Sequence, residues 1–229
     1  MKYGLIWLAA GILLAARAIA SSGWWLVLLW PAGVLVVLGG AYLLNWPWLF
    51  GKRSDGRLSV LPVFLFLPYL LYAWTIWHLT CWVRRERPYD VVDDRLIVGR
   101  RLLPGEFQEL RGRVDNVIDL TCEFAEPSEI RTAVNYVSCP ILDGSIPTWP
   151  QLRQLVDDVD DLTGTTYIHC AQGHGRTGLV AAALLMHRDP DIGFADAIRK
   201  LQAARPYLAC NGGQLALLSV FAGSNAAKN

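Results

Sequence analysis

The sequence predicts an α/β domain, a mostly parallel sheet covered by helices, preceded by two or three transmembrane or re-entrant helices. Three observations point there. Composition changes sharply near residue 84: residues 1–83 carry five Lys/Arg and one acid, Asp55, whereas residues 84–229 carry sixteen Lys/Arg and nineteen Asp/Glu. Three apolar runs, 3–20, 24–44 and 58–83, fill the first part, with Arg17 the one charge among them. After residue 84, short β-branched stretches alternate with helical periodicity, which implies strand–helix units in a parallel sheet. The division is therefore 1–83, membrane-embedded helices, and 84–229, a soluble domain.

The second run meets the length of a membrane span, about 20 apolar residues; the first is marginal and the third is long enough even if kinked at Pro62 or Pro68. Trp24, Trp25, Trp46, Trp48, Trp77 and Trp82 lie near run edges, where indole rings sit at headgroup level. Ala18-Ile19-Ala20 followed by serines resembles a signal-peptidase site. The second run begins only a few residues later, which favours a retained hairpin turning at Ser21-Ser22-Gly23. Basic groups sit at Lys2, at Lys52/Arg53/Arg57 and at Arg84/Arg85/Arg87. The positive-inside rule puts all three in the cytosol. Three complete spans cannot satisfy that, whereas a re-entrant third run can. The expectation is a multi-pass membrane protein with its soluble domain on the cytoplasmic face.

In the soluble part, RLIVG (95–99), VDNVIDLT (114–121), VNYVSCPI (134–141) and TTYIHC (165–170) read as strands. Residues 150–162 open on Pro150, tolerated in a first helical turn, and place Leu152, Leu155, Val156, Val159 and Leu162 on one face. Helices are expected at 177–187, 194–204 and 213–221, and the tail SNAAKN reads as disordered. The slightly acidic balance gives no electrostatic footprint for nucleic acid. Five cysteines without a C-x-x-C pair or zinc spacing exclude a disulfide scaffold and a structural metal site. Cys81, Cys122, Cys139 and Cys210 read as buried or membrane thiols.

Cys170 differs because of its setting, His169 to Gly178, HCAQGHGRTG. This stretch lies between a strand and a helix. A helix N-terminus offers unpaired N–H groups and the positive dipole end, which bind anions. Gly173, Gly175 and Gly178 let the backbone curl so that successive N–H groups converge on a phosphate. Arg176 supplies a planar fork for two phosphate oxygens. The same field lowers a thiol from about 8.5 toward roughly 3.5–7.5, making Cys170 an activated nucleophile. The stretch lacks the lysine of a nucleotide-binding P-loop, and its glycines do not fit a dinucleotide fingerprint.

HCAQGHGRTG resembles the H-C-x-x-G-x-x-R-[ST] signature of cysteine-dependent phosphatases, in the dual-specificity branch of the protein tyrosine phosphatase superfamily. DDRLIVGRRLLPGE (93–106) resembles that family's entry strands. CPILDGSIPTW (139–149) resembles its general-acid loop, and RPYLACNGGQ (205–214) its closing Arg-Pro segment. The resemblance implies these roles: Cys170 attacks phosphorus, and Arg176 with the loop residues Ala171, Gln172, Gly173, His174 and Gly175 holds the phosphate oxygens. Asp143 protonates the leaving group and then activates water, Thr177 helps the thiolate leave, and His169 orients the loop from behind. It implies no metal and no cofactor.

The substrate stays open. A phosphoprotein, dephosphorylated at tyrosine, serine or threonine, comes first. A phospholipid monoester, such as a phosphatidylglycerophosphate or a phosphoinositide, is the alternative. An inactive phosphate-reading membrane scaffold is a third reading, opposed by intact Cys170, Arg176 and Asp143. His174 is the loop's one extra potential cation, too weak near neutral pH to favour polyphosphorylated headgroups.

Overall fold

The computed structural model describes residues 2–84 and 86–226. Helix α1, Lys2–Ser21, and the stretch Gly23–Leu44, a 3₁₀ turn (Gly23–Leu28) running into α2 (Leu29–Leu44), are both long and apolar enough to cross a membrane. They form the hairpin expected around Ser21-Ser22-Gly23. Gly11 and Gly39 let the two backbones touch: a Cβ on Gly11 would meet the Ala32 carbonyl oxygen at 2.8 Å. Outward side chains remain uncovered, Leu13 at 70% and Trp24 at 71% exposure.

The third apolar run is not one helix. It is α3, Val60–Leu65, and α4, Leu67–Arg84, broken at Phe66 where the backbone leaves helical geometry just before Pro68. α3 starts beside Gly51, which accepts the Ser59 N–H at 3.0 Å, and rises until Leu65 O accepts Trp30 Nε1 at 3.1 Å. α4 then returns to the α/β part, where Trp74 and Trp77 donate their indole N–H groups to Glu123 O and Ala171 O. Trp77 is thus no headgroup-level ring: it is 2% exposed, and the interfacial expectation for it is corrected. Lys52 is likewise no membrane-flanking cation. The 45–59 segment inserts it against Asp119 of the α/β part, where its ammonium is fully buried. Arg53 and Arg57 remain exposed and face Asp55. Arg85 lies outside the described residues.

The α/β part is built on five strands: β1 (Tyr89–Asp93), β2 (Leu96–Arg100), β3 (Asn116–Asp119), β4 (Asn135–Ser138) and β5 (Thr166–Cys170). Their order is β1-β2-β5-β3-β4, with β1 antiparallel to β2 and the rest parallel. The mostly parallel sheet is as expected. Strand β1 was not, because YDVVD is a short edge segment carrying acids at two of its five positions.

Coverage of the sheet is uneven. After the short α5 (Ser128–Arg131) come α6 (Trp149–Asp160), α7 (Gly175–Arg188), α8 (Phe194–Ala204) and α9 (Gly212–Ala226). One hydrophobic core joins the sheet to α6, α7, α8 and α9, including Ile168, Leu179, Val156, Leu201 and Phe221. The opposite face is closed by loop residues such as Leu102, Phe107 and Leu110 and by Ile130 of α5. Helix α6 carries a capping box: Gln151 answers the Thr148 N-cap, and Pro150 sits in the first turn. Its Leu152, Leu155, Val156 and Val159 are buried, the face the periodicity marked. Helix α7 is buried on nearly every side, which its small side chains Ala181, Ala182 and Ala183 permit. At the C-terminus α9 continues through Ala226, so Ser224 belongs to a helix; residues 227–229 of the tail lie outside the described residues.

Candidate active site

Ligand sites of parallel sheets form beyond the carboxyl ends of the strands. Here β5 ends at Cys170, and the chain curls through Ala171–His174 into α7 at Gly175. Only Gly173 of the three loop glycines has a left-handed backbone, φ +70°, and a Cβ there would collide with Gly99. Gly178 serves packing instead: its Cβ would meet Leu208 at 2.8 Å. The expectation that all three glycines supply curl is therefore narrowed to one.

The loop carbonyls are gripped from outside. Arg101 N–H donates to Cys170 O at 2.7 Å and, more weakly, to Ala171 O at 3.2 Å. Trp77 Nε1 donates to Ala171 O at 2.8 Å. Arg205, in the segment read as closing the domain, donates Nη2 to Gln172 O and Nε to Gly173 O, at 3.1 and 2.9 Å. Gly178 N–H donates to His174 O at 2.7 Å, and the Cys210 thiol lies 3.8 Å from Gly175 O.

Arg176 is 1% exposed and held on a carboxylate that sequence reasoning missed, Glu123. Nη1 and Nη2 donate to Glu123 Oε2 and Oε1 at 3.1 and 2.7 Å, and Nη1 also to Ile141 O at 2.9 Å. Burial alone would raise the Glu123 carboxyl; the charge and hydrogen bonds of Arg176 outweigh it and hold the group below its usual range. The one signal for Glu123 in sequence was an acid placed just after a buried strand, in TCEF.

Asp143 lies at the mouth of the loop. Its side chain is 70% exposed and its Oδ1 is 3.1 Å from Arg176 Nη2. The turn that presents it needs Gly144 at φ +67°, with the Ser145 N–H bonded to Leu142 O. Gln214, buried at the start of α9, reaches Ser145 O at 3.3 Å and exchanges hydrogen bonds with Asn211. The Thr177 hydroxyl sits 3.5 Å from Gly99 O. His174, the loop's open question, faces Glu86 just beyond α4, Nε2 to Oε2 2.7 Å, so its ring is engaged by the linker. Burial pushes the thiols of Cys139 and Cys210 up, to about 12 and about 11, which keeps both protonated at neutral pH.

Behind the loop, His169 is buried with Nδ1 3.4 Å from Cys170 O, its ring stacked on Tyr167. Burial lowers it to about 4, so it is neutral. Beside it lie Asp119 and Glu126, and the three residues offer ligand atoms within 4.8 Å of one another. The cation at this cluster is the Lys52 ammonium, 2.7 Å from Asp119 Oδ2. Glu126 Oε1 is 3.8 Å from His169 Nε2 and Oε2 is 3.9 Å from Arg101 Nε, too far for hydrogen bonds. Burial, reinforced by the Asp119 charge, pushes the Glu126 carboxyl up to about 8. Its contribution to stability is complete below its ordinary value of 4.5 and is lost as pH rises through about 8. Glu126→Gln keeps the neutral shape, so its melting temperature should gain on that of the native protein from about pH 5 to about pH 9. A difference constant across that range would show Glu126 ionised throughout.

A cavity of about 280 Å³ opens over the loop. Tyr3 and Trp7 of α1, Tyr42 of α2, and Tyr69, Tyr72 and Trp77 of α4 wall it, with Glu123, Asp143, Ala171 and Gln172 at its floor. Among the described residues no Lys or Arg lines it; the guanidinium of Arg176 lies beneath.

The geometry pairs a strand-end thiol with a buried, carboxylate-oriented guanidinium at a helix N-terminus, the equipment for holding and attacking a phosphoryl group. The fold and this loop resemble those of phosphatases of the protein tyrosine phosphatase superfamily. Residues 103–189 match the family described as "Tc-R-P: Polymorphic toxin system, DSP-PTPase phosphatase". It is 33% identical over 103 residues to "Putative tyrosine phosphatase 197R" of Invertebrate iridescent virus 6, an alignment covering 41% of this chain and 38% of the viral protein's length. Solved structures with this fold include PTPMT1 in complex with PI(5)P, with TM-score 0.56, 20% identity, and 62% of this chain and 99% of that one covered. Tk-PTP in its active form gives 0.54 at 24% identity over 59% and 97%. Human DUSP28 gives 0.53 at 20% identity over 60% and 95%.

Proposed function

We propose that the chain is a membrane-associated phosphomonoesterase that works through a cysteinyl-phosphate on Cys170 and takes a phospholipid monoester. The observation that carries the substrate half is the aromatic wall around the cavity. Three helices from the apolar part of the chain roof the catalytic loop, two of them long enough to cross a membrane. An extended phosphopeptide needs open surface over such a loop; a lipid headgroup can enter between helices already in the bilayer. Sequence alone placed protein substrates first, and the wall reverses that order. PTPMT1, of the same fold, has been crystallised with PI(5)P, which agrees with a lipid. The lining without Lys or Arg, and His174 engaged by Glu86, favour a single phosphate over a polyphosphorylated headgroup.

In this reading residues 1–83 form the embedded part and 84–229 the catalytic domain. Cys170 attacks phosphorus and the leaving oxygen departs with a proton from Asp143. The charge on the three equatorial oxygens is met by Arg176 and by N–H groups of the loop. Asp143, now a carboxylate, takes a proton from water, whose oxygen attacks the phosphocysteine and releases Cys170 as a thiolate. Thr177 assists that second departure. Lys2 and Tyr3, the 45–59 segment and the end of α4 all border the catalytic domain, so the hairpin tip at Ser22 faces the far side. Basic residues on the domain side favour the cytosol for that side, where a reactive thiolate stays reduced.

Full-length protein in vesicles, offered a phosphatidylglycerol phosphate and, separately, a phosphotyrosine peptide, tests the proposal. A higher kcat/KM on the lipid is expected. The opposite order returns the reading to protein substrates, and no hydrolysis of either, or of an aryl phosphate, removes the enzyme reading.

A further inference from the structure

Each of six consecutive carbonyls of the catalytic loop, from Cys170 to Gly175, has a donor against it. A planar trans peptide points its C=O and the following N–H in opposite directions. Holding a loop carbonyl outward therefore aims the next residue's N–H inward, at the position of the phosphate. Most of these holders come from the catalytic domain: the Arg101 backbone, the Arg205 guanidinium, the Gly178 N–H and Cys210. Ala171 O is different. Its short, buried bond is to Trp77 Nε1 at 2.8 Å, a donor on α4. The Arg101 N–H that also reaches it, at 3.2 Å, is committed to Cys170 O at 2.7 Å.

We infer that Trp77 is a positioning residue for the reaction: by holding Ala171 O outward it aims the Gln172 N–H at the phosphate, so the apolar helical region supplies part of the phosphate cradle. The setting is built for that task. Trp77 is 2% exposed, its ring packs on Phe124 with centroids 5.5 Å apart, and the Arg101 guanidinium covers it at 5.0 Å. Those contacts fix the indole plane, and with it the direction of the N–H. Residues on either side of Trp77 reach the same end of the domain: Trp74 donates to Glu123 O, next to the carboxylate that orients Arg176, and Glu86 takes His174. Phosphate affinity is thereby coupled to docking of α4, and a change that lifts α4 from the domain loosens the cradle without touching Cys170 or Arg176.

The inference rests on the phosphate-binding reading of the loop, and the test separates the two. Full-length native protein, Trp77→Phe and Leu103→Ala are compared. Trp77→Phe keeps most of the packing and removes the N–H. Leu103 packs against the same cluster as Trp77 and Phe124 without bonding the loop, so Leu103→Ala reports packing loss alone. Orthovanadate inhibition of aryl phosphate hydrolysis reads the cradle, and thermal unfolding reads packing. Trp77→Phe is expected to weaken vanadate by about tenfold, the low end for one hydrogen bond to a charged group, with little loss of melting temperature. Leu103→Ala is expected to lower the melting temperature and leave vanadate affinity unchanged. Native-like vanadate affinity in Trp77→Phe overturns the inference, as does a loss that merely tracks melting temperature across both variants. Native protein that neither binds vanadate nor hydrolyses the ester overturns the loop reading itself.

Discussion

Cys170→Ser stops turnover and leaves the phosphate site standing. The expected fall in kcat is on the order of 10⁴ or more, because a serine hydroxyl in this loop has no adjacent base to activate it. His169 cannot take that part: its Nδ1 faces the Cys170 carbonyl, and the ring is buried behind the strand rather than beside the thiol. In the proposed mechanism inorganic phosphate is held by the loop N–H groups and by Arg176, whose grip on Glu123 the substitution does not touch. Competitive inhibition by phosphate should therefore persist in the native protein and, by direct titration, in the variant. Quenching native turnover in acid should leave a phosphate on Cys170, visible by mass spectrometry. Turnover within about tenfold of native in Cys170→Ser would rule out the covalent route.

What the sequence made legible was what is local. A strand, a cysteine, spaced glycines and an arginine at a helix start fall within ten residues, and the structure brings them together. Asp143 was named through the resemblance of CPILDGSIPTW to a general-acid loop, and α6 was legible through its period. What stayed hidden was long-range. Glu123 lies 53 residues from Arg176, and Trp77 lies 94 residues from Ala171. No spacing rule links such pairs, because tertiary packing alone brings them together. Trp77 and Lys52 were misread for a shared reason. A tryptophan at the edge of an apolar run and a lysine after one fit the pattern of membrane interfaces, and the same patterns arise when the chain turns inward to dock on a neighbouring domain. His174 was unresolved because its partner, Glu86, sits in the linker between the two parts.

Lys52→Met should destabilise the folded chain by about 3–5 kcal/mol, the cost of leaving one partner of a buried ion pair alone. The cost arises at Asp119, which is fully buried at the end of β3. Its carboxylate accepts from Lys52 Nζ at 2.7 Å, Tyr136 Oη at 2.8 Å, and the Thr121 N–H and hydroxyl at 2.8 and 2.7 Å. Burial would raise this carboxyl, but Lys52 and these donors hold it well below its usual range, so the charge stays and must be matched. Lys52 also donates to Thr121 Oγ1 at 3.2 Å and to Phe124 O. For a chain of this size the loss corresponds to a melting temperature lower by about 10 °C. The double variant Lys52→Met/Asp119→Asn removes both charges. The amide oxygen it introduces can still accept from Thr121, while the Tyr136 hydroxyl turns to accept from the amide N–H. The double variant should recover most of the loss, since a neutral pair in a packed site often matches the ion pair. A single variant within about 1 kcal/mol of native, or a double variant no better than the single, would show that Lys52 is not the charge Asp119 depends on. The pairing matters beyond stability because Asp119 stands in register with His169, the residue behind the nucleophile. The segment that joins two apolar helices to the rest of the chain thus ends in an ammonium set one strand away from Cys170. Loss of the Lys52 contact is therefore expected to loosen the support behind the loop as well as the fold.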